Sequence, residues 1–102
     1  MMLDNLPKRM PGFAPGQIVI VKRGRDQGRF MVVLAVEHEK GAAYLHLADG
    51  KTRLLAKPKK KKTIHVQPTN TVVDLLGAGP RGLQDADIRK MLGEEVSALG
   101  KI

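Results

Sequence analysis

Cysteine is absent from this 102-residue chain, which excludes disulfides, thiolate metal sites and cysteine nucleophiles. Tryptophan is absent as well, and the aromatics are only Phe13, Phe30 and Tyr44. Proteins that read single strands stack bases on aromatic platforms. Three aromatics are too few for such a sheet, and Phe30 falls in a run that reads as core. Serine occurs once, at Ser97, and no Ser/His/Asp arrangement is legible. Long hydrophobic runs are missing too, since residues 31–36 are far too short to cross a bilayer. Asp4, Pro7 and Pro11 interrupt the apolar stretch that a signal peptide needs, so a cytoplasmic location is expected.

Acidic residues are scarce. Ten Asp and Glu stand against 18 Lys and Arg, a formal charge of +8. The surplus is local: residues 1–70 hold 14 basic and 5 acidic residues, whereas residues 71–102 hold 4 and 5. Concentrated positive charge on a small domain points to a polyanionic partner, with nucleic acid first and an anionic membrane surface as competitor. No apolar anchor flanks the lysine-rich stretch, so membrane association would rest on charge alone and is not expected.

The chain divides into three parts. Residues 1–15 carry three prolines and no apolar period, and read as an extended arm. Residues 16–68 read as a small β domain. Ile18 to Val21 are β-branched and predict a first strand. "GRDQG" at 24–28 is a turn, and 30–36 is a second strand apolar on both faces, hence central. The polar stretch 37–41 is the next turn, and 43–48 alternates as a third strand. Asp49-Gly50 predicts a two-residue type I′ hairpin into a fourth strand over 51–55. The run 57–62 leads as a loop into a short fifth strand at 63–66. Short strands at this spacing predict a mainly β fold, economically a small five-stranded SH3-like barrel without free edges. Residues 69–102 read as a linker and a C-terminal amphipathic helix. Ile88, Met91, Leu92, Val96 and Leu99 form its stripe, Asp85 is placed to cap it, and Gly93 is a point where it can end.

Several apparent motifs carry little chemistry. Gly77, Gly79 and Gly82 have dinucleotide-turn spacing, but Pro80 removes a phosphate-binding N–H and no second strand follows. His38, His46 and His65 lack carboxylate or cysteine partners at ligand spacing, and His46 and His65 read as half-exposed strand residues. No metal, cofactor or catalytic residue is expected. The basic residues carry more. Lys22, Arg23, Arg25 and Arg29 bracket the first turn, Lys51 and Arg53 fall on the expected fourth strand, and Lys57, Lys59, Lys60, Lys61 and Lys62 precede the last. If a closed sheet brings these groups together, they form a phosphate-binding face that contacts backbone and shape, not base sequence.

"GQIVIVKRGRDQGRFMVVLAV" at 16–36 resembles a KOW motif, two strands around a basic turn. Gly28 matches the glycine that marks the family and Gly16 its opening turn. Val19, Val21, Val32 and Val33 match its apolar positions. Gln17 and Gln27 depart from the pattern, which often has an acidic and a basic residue there. The continuation "YLHLADGKTRLLAKPKKKKTIHVQPT" resembles KOW-containing large-subunit ribosomal proteins of archaea and eukaryotes, and more closely their short bacterial relatives. The tail "DADIRKML" resembles the helix that ends many of those bacterial chains. The resemblance implies an SH3-like barrel that binds ribosomal or other structured RNA. The RNA-binding residues it implies are Lys22, Arg23, Arg25, Arg29 and Lys59 to Lys62. Gly16, Gly24, Gly28, Asp49 and Gly50 are the expected structural turn residues. The alternative is a protein-interaction module that touches ribosomal proteins or RNA polymerase, with the helix stripe as docking face.

Overall fold

In a computed structural model the chain is described over residues 13–75 and 82–100, the side chains of 94–100 excepted. The β-branched run forms strand β1, Gln17–Val21, and the second apolar run forms β2, Phe30–Glu39. They pair antiparallel with Ile18 opposite Val32 and Val19 opposite Met31. Side chains alternate across a strand, so this register sorts one continuous apolar run into two cores. Val19, Val21, Met31 and Val33 face one way, joined by Leu45, Leu47 and Val66. Ile18 and Val32 face the other. The expected two-sided burial of the second strand therefore holds over its first half. Beyond a register shift between Val33 and Ala35 the strand is half-buried or exposed.

The strand pair β2 and β3, Ala42–Ala48, closes through Lys40 and Gly41, with φ of 49° and 80°. Positive φ at both central residues is what a two-residue type I′ hairpin demands. The sharp hairpin thus lies here and not at Asp49-Gly50. The expected fourth strand over 51–55 does not form either, because Asp49 Oδ1 accepts the backbone N–H groups of Lys51, Thr52 and Arg53 at 2.9, 2.9 and 2.7 Å. One carboxylate collects three donors that a sheet ladder would otherwise use. Lys51 and Arg53 are therefore loop residues.

The lysine run is itself a strand. Lys59–Lys62 forms β4, paired with β3, with Leu45 opposite Lys61 and Leu47 opposite Lys59. Residues 63–65 make a 3-10 turn in place of the expected strand, so His65 is not a strand residue. Strand β5 runs over Val66–Val72 and pairs with β1. The sheet order is β4-β3-β2-β1-β5, five antiparallel strands in one sheet. Lysine is a poor strand former, but it suits an end strand, where charge discourages pairing with another chain. Pro68 sits in the other end strand, where a missing N–H is tolerated.

Helix α1, Asp85–Gly100, covers the second face of the sheet. Ile88 and Leu92 are buried against Ile18 and Val32, with Phe30, Leu55, Val73 and Met91 around them. The described part of the stripe, Ile88, Met91 and Leu92, is spent on the chain's own sheet. Asp85 does not cap the helix: its Oδ1 accepts the Leu55 N–H at 2.8 Å and ties the helix to the 51–55 loop. Asp87 does the capping, its Oδ2 accepting the Gln84 N–H at 2.9 Å. The helix continues through Gly93, because this docking outweighs the roughly 1 kcal/mol that glycine costs. Gly50, at φ 75°, lets it approach: a Cβ there would collide with the Asp85 carbonyl oxygen and lie 3.1 Å from Arg89 Cγ. Residues 1–12 of the expected arm, most of the 77–82 glycine segment, and the Val96 and Leu99 side chains lie outside the described residues. Among the described residues no helix is long and apolar enough to cross a membrane.

The packing of α1 is testable. Ile88→Ala deletes a fully buried side chain from the smaller core and is expected to cost about 2–5 kcal/mol in urea unfolding. A loss below about 0.5 kcal/mol, the range of ordinary surface substitutions, would mean that α1 does not close this face.

Candidate nucleic-acid interface

The first turn lies at the centre of the basic residues. Gly28 donates its N–H to the Val21 carbonyl at 2.7 Å and Arg29 to that of Asp26 at 2.9 Å, which shapes residues 22–29. Gly16, Gly24 and Gly28 all hold positive φ, as turn glycines do, and Gly50 does the same in the second loop. Asp26 is buried, at 2% exposure, and Asp49 at 7%. Each accepts an arginine of the opposite loop. Arg53 sends Nε and Nη2 to Asp26 Oδ2 at 3.1 and 2.9 Å. Arg29 sets Nη1 3.6 Å from Asp49 Oδ2, and the same nitrogen donates to Thr52 Oγ1 at 3.0 Å. Its Nε also lies 3.7 Å from Asp26 Oδ1. The first turn and the 49–53 loop are thereby cross-braced, one Asp and one Arg from each.

Two of the expected phosphate ligands are consequently engaged. Arg29 and Arg53 hold the loops together, and their charge is largely met by carboxylates. Lys60 is engaged as well. Its Nζ lies 3.0 Å from Glu39 and 3.5 Å from Glu37, and 4.7 Å from the centroid of the Tyr44 ring. Glu37 also meets His46 Nε2 at 2.7 Å. The hydrogen bond to His46 and the charge of Lys60 hold the Glu37 carboxyl below its ordinary value. The hydrogen bond to Glu39 and the charges of both glutamates raise that of Lys60.

Strand alternation explains why Lys60 parts from its neighbours. Lys59 and Lys61 stand opposite Leu47 and Leu45, whereas Lys60 and Lys62 stand opposite His46 and Tyr44. Residues directly opposite in antiparallel strands share a face. The run of lysines is thus divided between the two faces of the sheet. Lys61 reaches the first turn: a Cβ at Gly24 would lie 2.6 Å from its Nζ. The Lys22 N–H donates to the His65 carbonyl at 2.8 Å and holds the turn beside the end of β4. Lys22, Arg23 and Arg25 are exposed, and Lys59 and Lys61 half-buried. Among the described residues no carboxylate comes within 4.0 Å of these five, nor of Lys51, Lys57 or Lys62. The fold therefore joins the first turn to the lysine run through Lys61.

The two aspartates escape a search for binding residues because acids in a basic stretch look like solvated turn residues. A signal is present for Asp49: Asp followed by Gly and three further N–H groups is the pattern of a side chain capping its own loop. Among the described residues no group of three or more His, Cys, Asp or Glu is placed to hold a metal ion. No protein-family model matches the chain, and no curated protein matches it.

Burial pushes the Asp49 carboxyl up, but the N–H groups of Arg53, Lys51 and Thr52 with the Arg29 charge outweigh it and leave the group below its ordinary 3.8. A depressed folded value means that the carboxylate stabilises the fold above the unfolded value and loses that contribution as pH falls through the folded one. Asp49→Asn is therefore expected to cost about 1–3 kcal/mol at pH 7. The gap between the two proteins is expected to narrow as pH drops below about 4. Urea unfolding at pH 7, 4 and 2.5 measures this, and a gap that widens in acid contradicts the assignment.

Proposed function

We propose that this chain is a non-enzymatic RNA-binding module of the KOW kind, gripping ribosomal or other structured RNA by its phosphates. The observation that carries this reading is the contact of the Lys61 ammonium with Gly24. It sets Lys61 beside the turn that carries Lys22, Arg23 and Arg25, with no carboxylate among the described residues in reach to neutralise them. Cations left unpaired on a small domain favour a polyanion, and arginine forks and lysine point charges both suit phosphate. The likeness of residues 16–36 and 44–69 to KOW-domain proteins supports the same reading. An SH3-like barrel is supported by the strand order, by the irregular ten-residue β2 and by the 3-10 turn between the two end strands. Edge lysines also have a purely structural use, but that use does not account for the unpaired arginines of the first turn.

The competing reading, a docking module for ribosomal proteins or RNA polymerase, loses its main support with the burial of Ile88 and Leu92. Among the described residues it retains separate exposed apolar side chains, Leu54, Ile64 and Val72, which are ordinary on a protein surface.

Binding to a structured ribosomal RNA fragment, measured at several salt concentrations, tests the proposal. Log K is expected to fall with log salt by roughly 0.7–0.9 per phosphate contact. Arg25→Ala and Lys61→Ala are each expected to reduce that slope by about one contact, whereas Lys60→Ala leaves it unchanged. The proposal fails if RNA is not held at 50 mM salt, about the low end of the usual range, or if Lys60→Ala has the largest effect.

A further inference from the structure

Between the first turn, the 49–51 loop and α1 lies an open groove of about 430 Å³. Its volume falls within the roughly 300–1,000 Å³ of small-molecule sites. Phe30 and Leu92 supply an apolar floor. At the helix side stands Gly93, and at the turn side Gly28, neither with any atom within 4 Å of where a Cβ would be. Three cations rim the groove. Lys51 is exposed and Arg89 uses one N–H on the Gly50 carbonyl, and no carboxylate pairs with either among the described residues. The third, Arg29, is braced by Asp26 and Asp49. Asp49 is the one acid in the lining, and its Oδ1 is already filled by three backbone N–H groups.

An apolar slot with a cationic lip has the chemistry of a nucleotide: a flat ring for the floor and a phosphate for the lip. The groove shares Gly28 and Arg29 with the turn that carries Lys22, Arg23 and Arg25. We infer that this groove seats one unpaired nucleotide of the bound RNA, its base over Phe30 and Leu92 and its phosphate at Lys51 and Arg89. The inference rests on the RNA-binding reading and adds to it a contact with a base. Unstacked bases are received in this way, on an aromatic ring or an arginine plane. A polyanion that met only the outer cations would make no use of the groove.

The test uses the full chain and Gly93→Leu, which adds a bulky side chain at a lining position of the groove. Leucine is a better helix former than glycine, so this variant is expected to fold at least as well, checked by thermal unfolding. Two RNA hairpins serve as probes, one fully paired in its stem and one with a single bulged nucleotide. The wild type is expected to prefer the bulged hairpin by roughly tenfold, and Gly93→Leu to bind both alike. Lys51→Glu is expected to reduce the preference while leaving the paired hairpin bound. NMR titration with adenosine monophosphate is expected to shift the amides of Gly28, Phe30, Leu92 and Gly93, and ribose phosphate is not. Equal binding of both hairpins by the wild type, with no shift by the mononucleotide at these amides, overturns the groove and leaves the RNA reading standing. If neither hairpin binds at low salt while the mononucleotide still shifts these amides, the RNA reading falls and so does an RNA-borne occupant. That result assigns the groove to a free nucleotide.

Discussion

The cross-brace between the first turn and the 49–53 loop is the constraint on which the rest depends. Asp26 with Arg53, and Asp49 with Arg29, form two ion pairs between segments far apart in the chain. Both carboxylates are buried, so each needs its partners: an unpaired buried charge costs several kcal/mol. The brace fixes the height of the turn above β1 and β2. It also fixes the 49–55 loop, against which α1 docks through Asp85 and Arg89. One electrostatic device thus positions both the proposed phosphate contacts and the helix that closes the second core.

The same device changes the meaning of the basic residues. In the sequence, eleven cations look equivalent. In the fold, Arg29 and Arg53 are structural, Lys60 belongs to a cluster with Glu37, Glu39 and Tyr44, and the others meet no carboxylate among the described residues. Charge density along a chain therefore overstates the charge available to a ligand. What a partner meets is the set of cations left after internal pairing, and that set is smaller and differently arranged. The division of residues 59–62 between two faces sharpens the point. A loop of lysines would act as a flexible cluster, whereas a strand of lysines sends alternate members in opposite directions.

Much of the fold was legible. β-branched runs located β1 and β2 because packing on a pleated surface favours them. The helix was legible from its stripe. The misreadings share one cause. Asp49-Gly50 looked like a hairpin, residues 51–55 like a strand and residues 59–62 like a loop because local composition was the sole guide. In each case a long-range partner decided otherwise. Three N–H groups turned to the Asp49 carboxylate, and β3 offered a ladder to a segment with little strand preference of its own. Tertiary pairing outweighs propensities of a few tenths of a kcal/mol per residue.

The sequence by itself determined that the chain is β-rich, basic in its first two thirds, free of thiol chemistry and closed by one amphipathic helix. Composition and period suffice for these, because each reflects the preference of a residue for its own surroundings. Only the tertiary structure decided which cations are paired, which lysines meet the first turn, and where α1 rests. Those outcomes depend on distances between segments far apart in the chain. Coulomb and hydrogen-bond energies follow separation in space and burial, and neither is written in the order of residues.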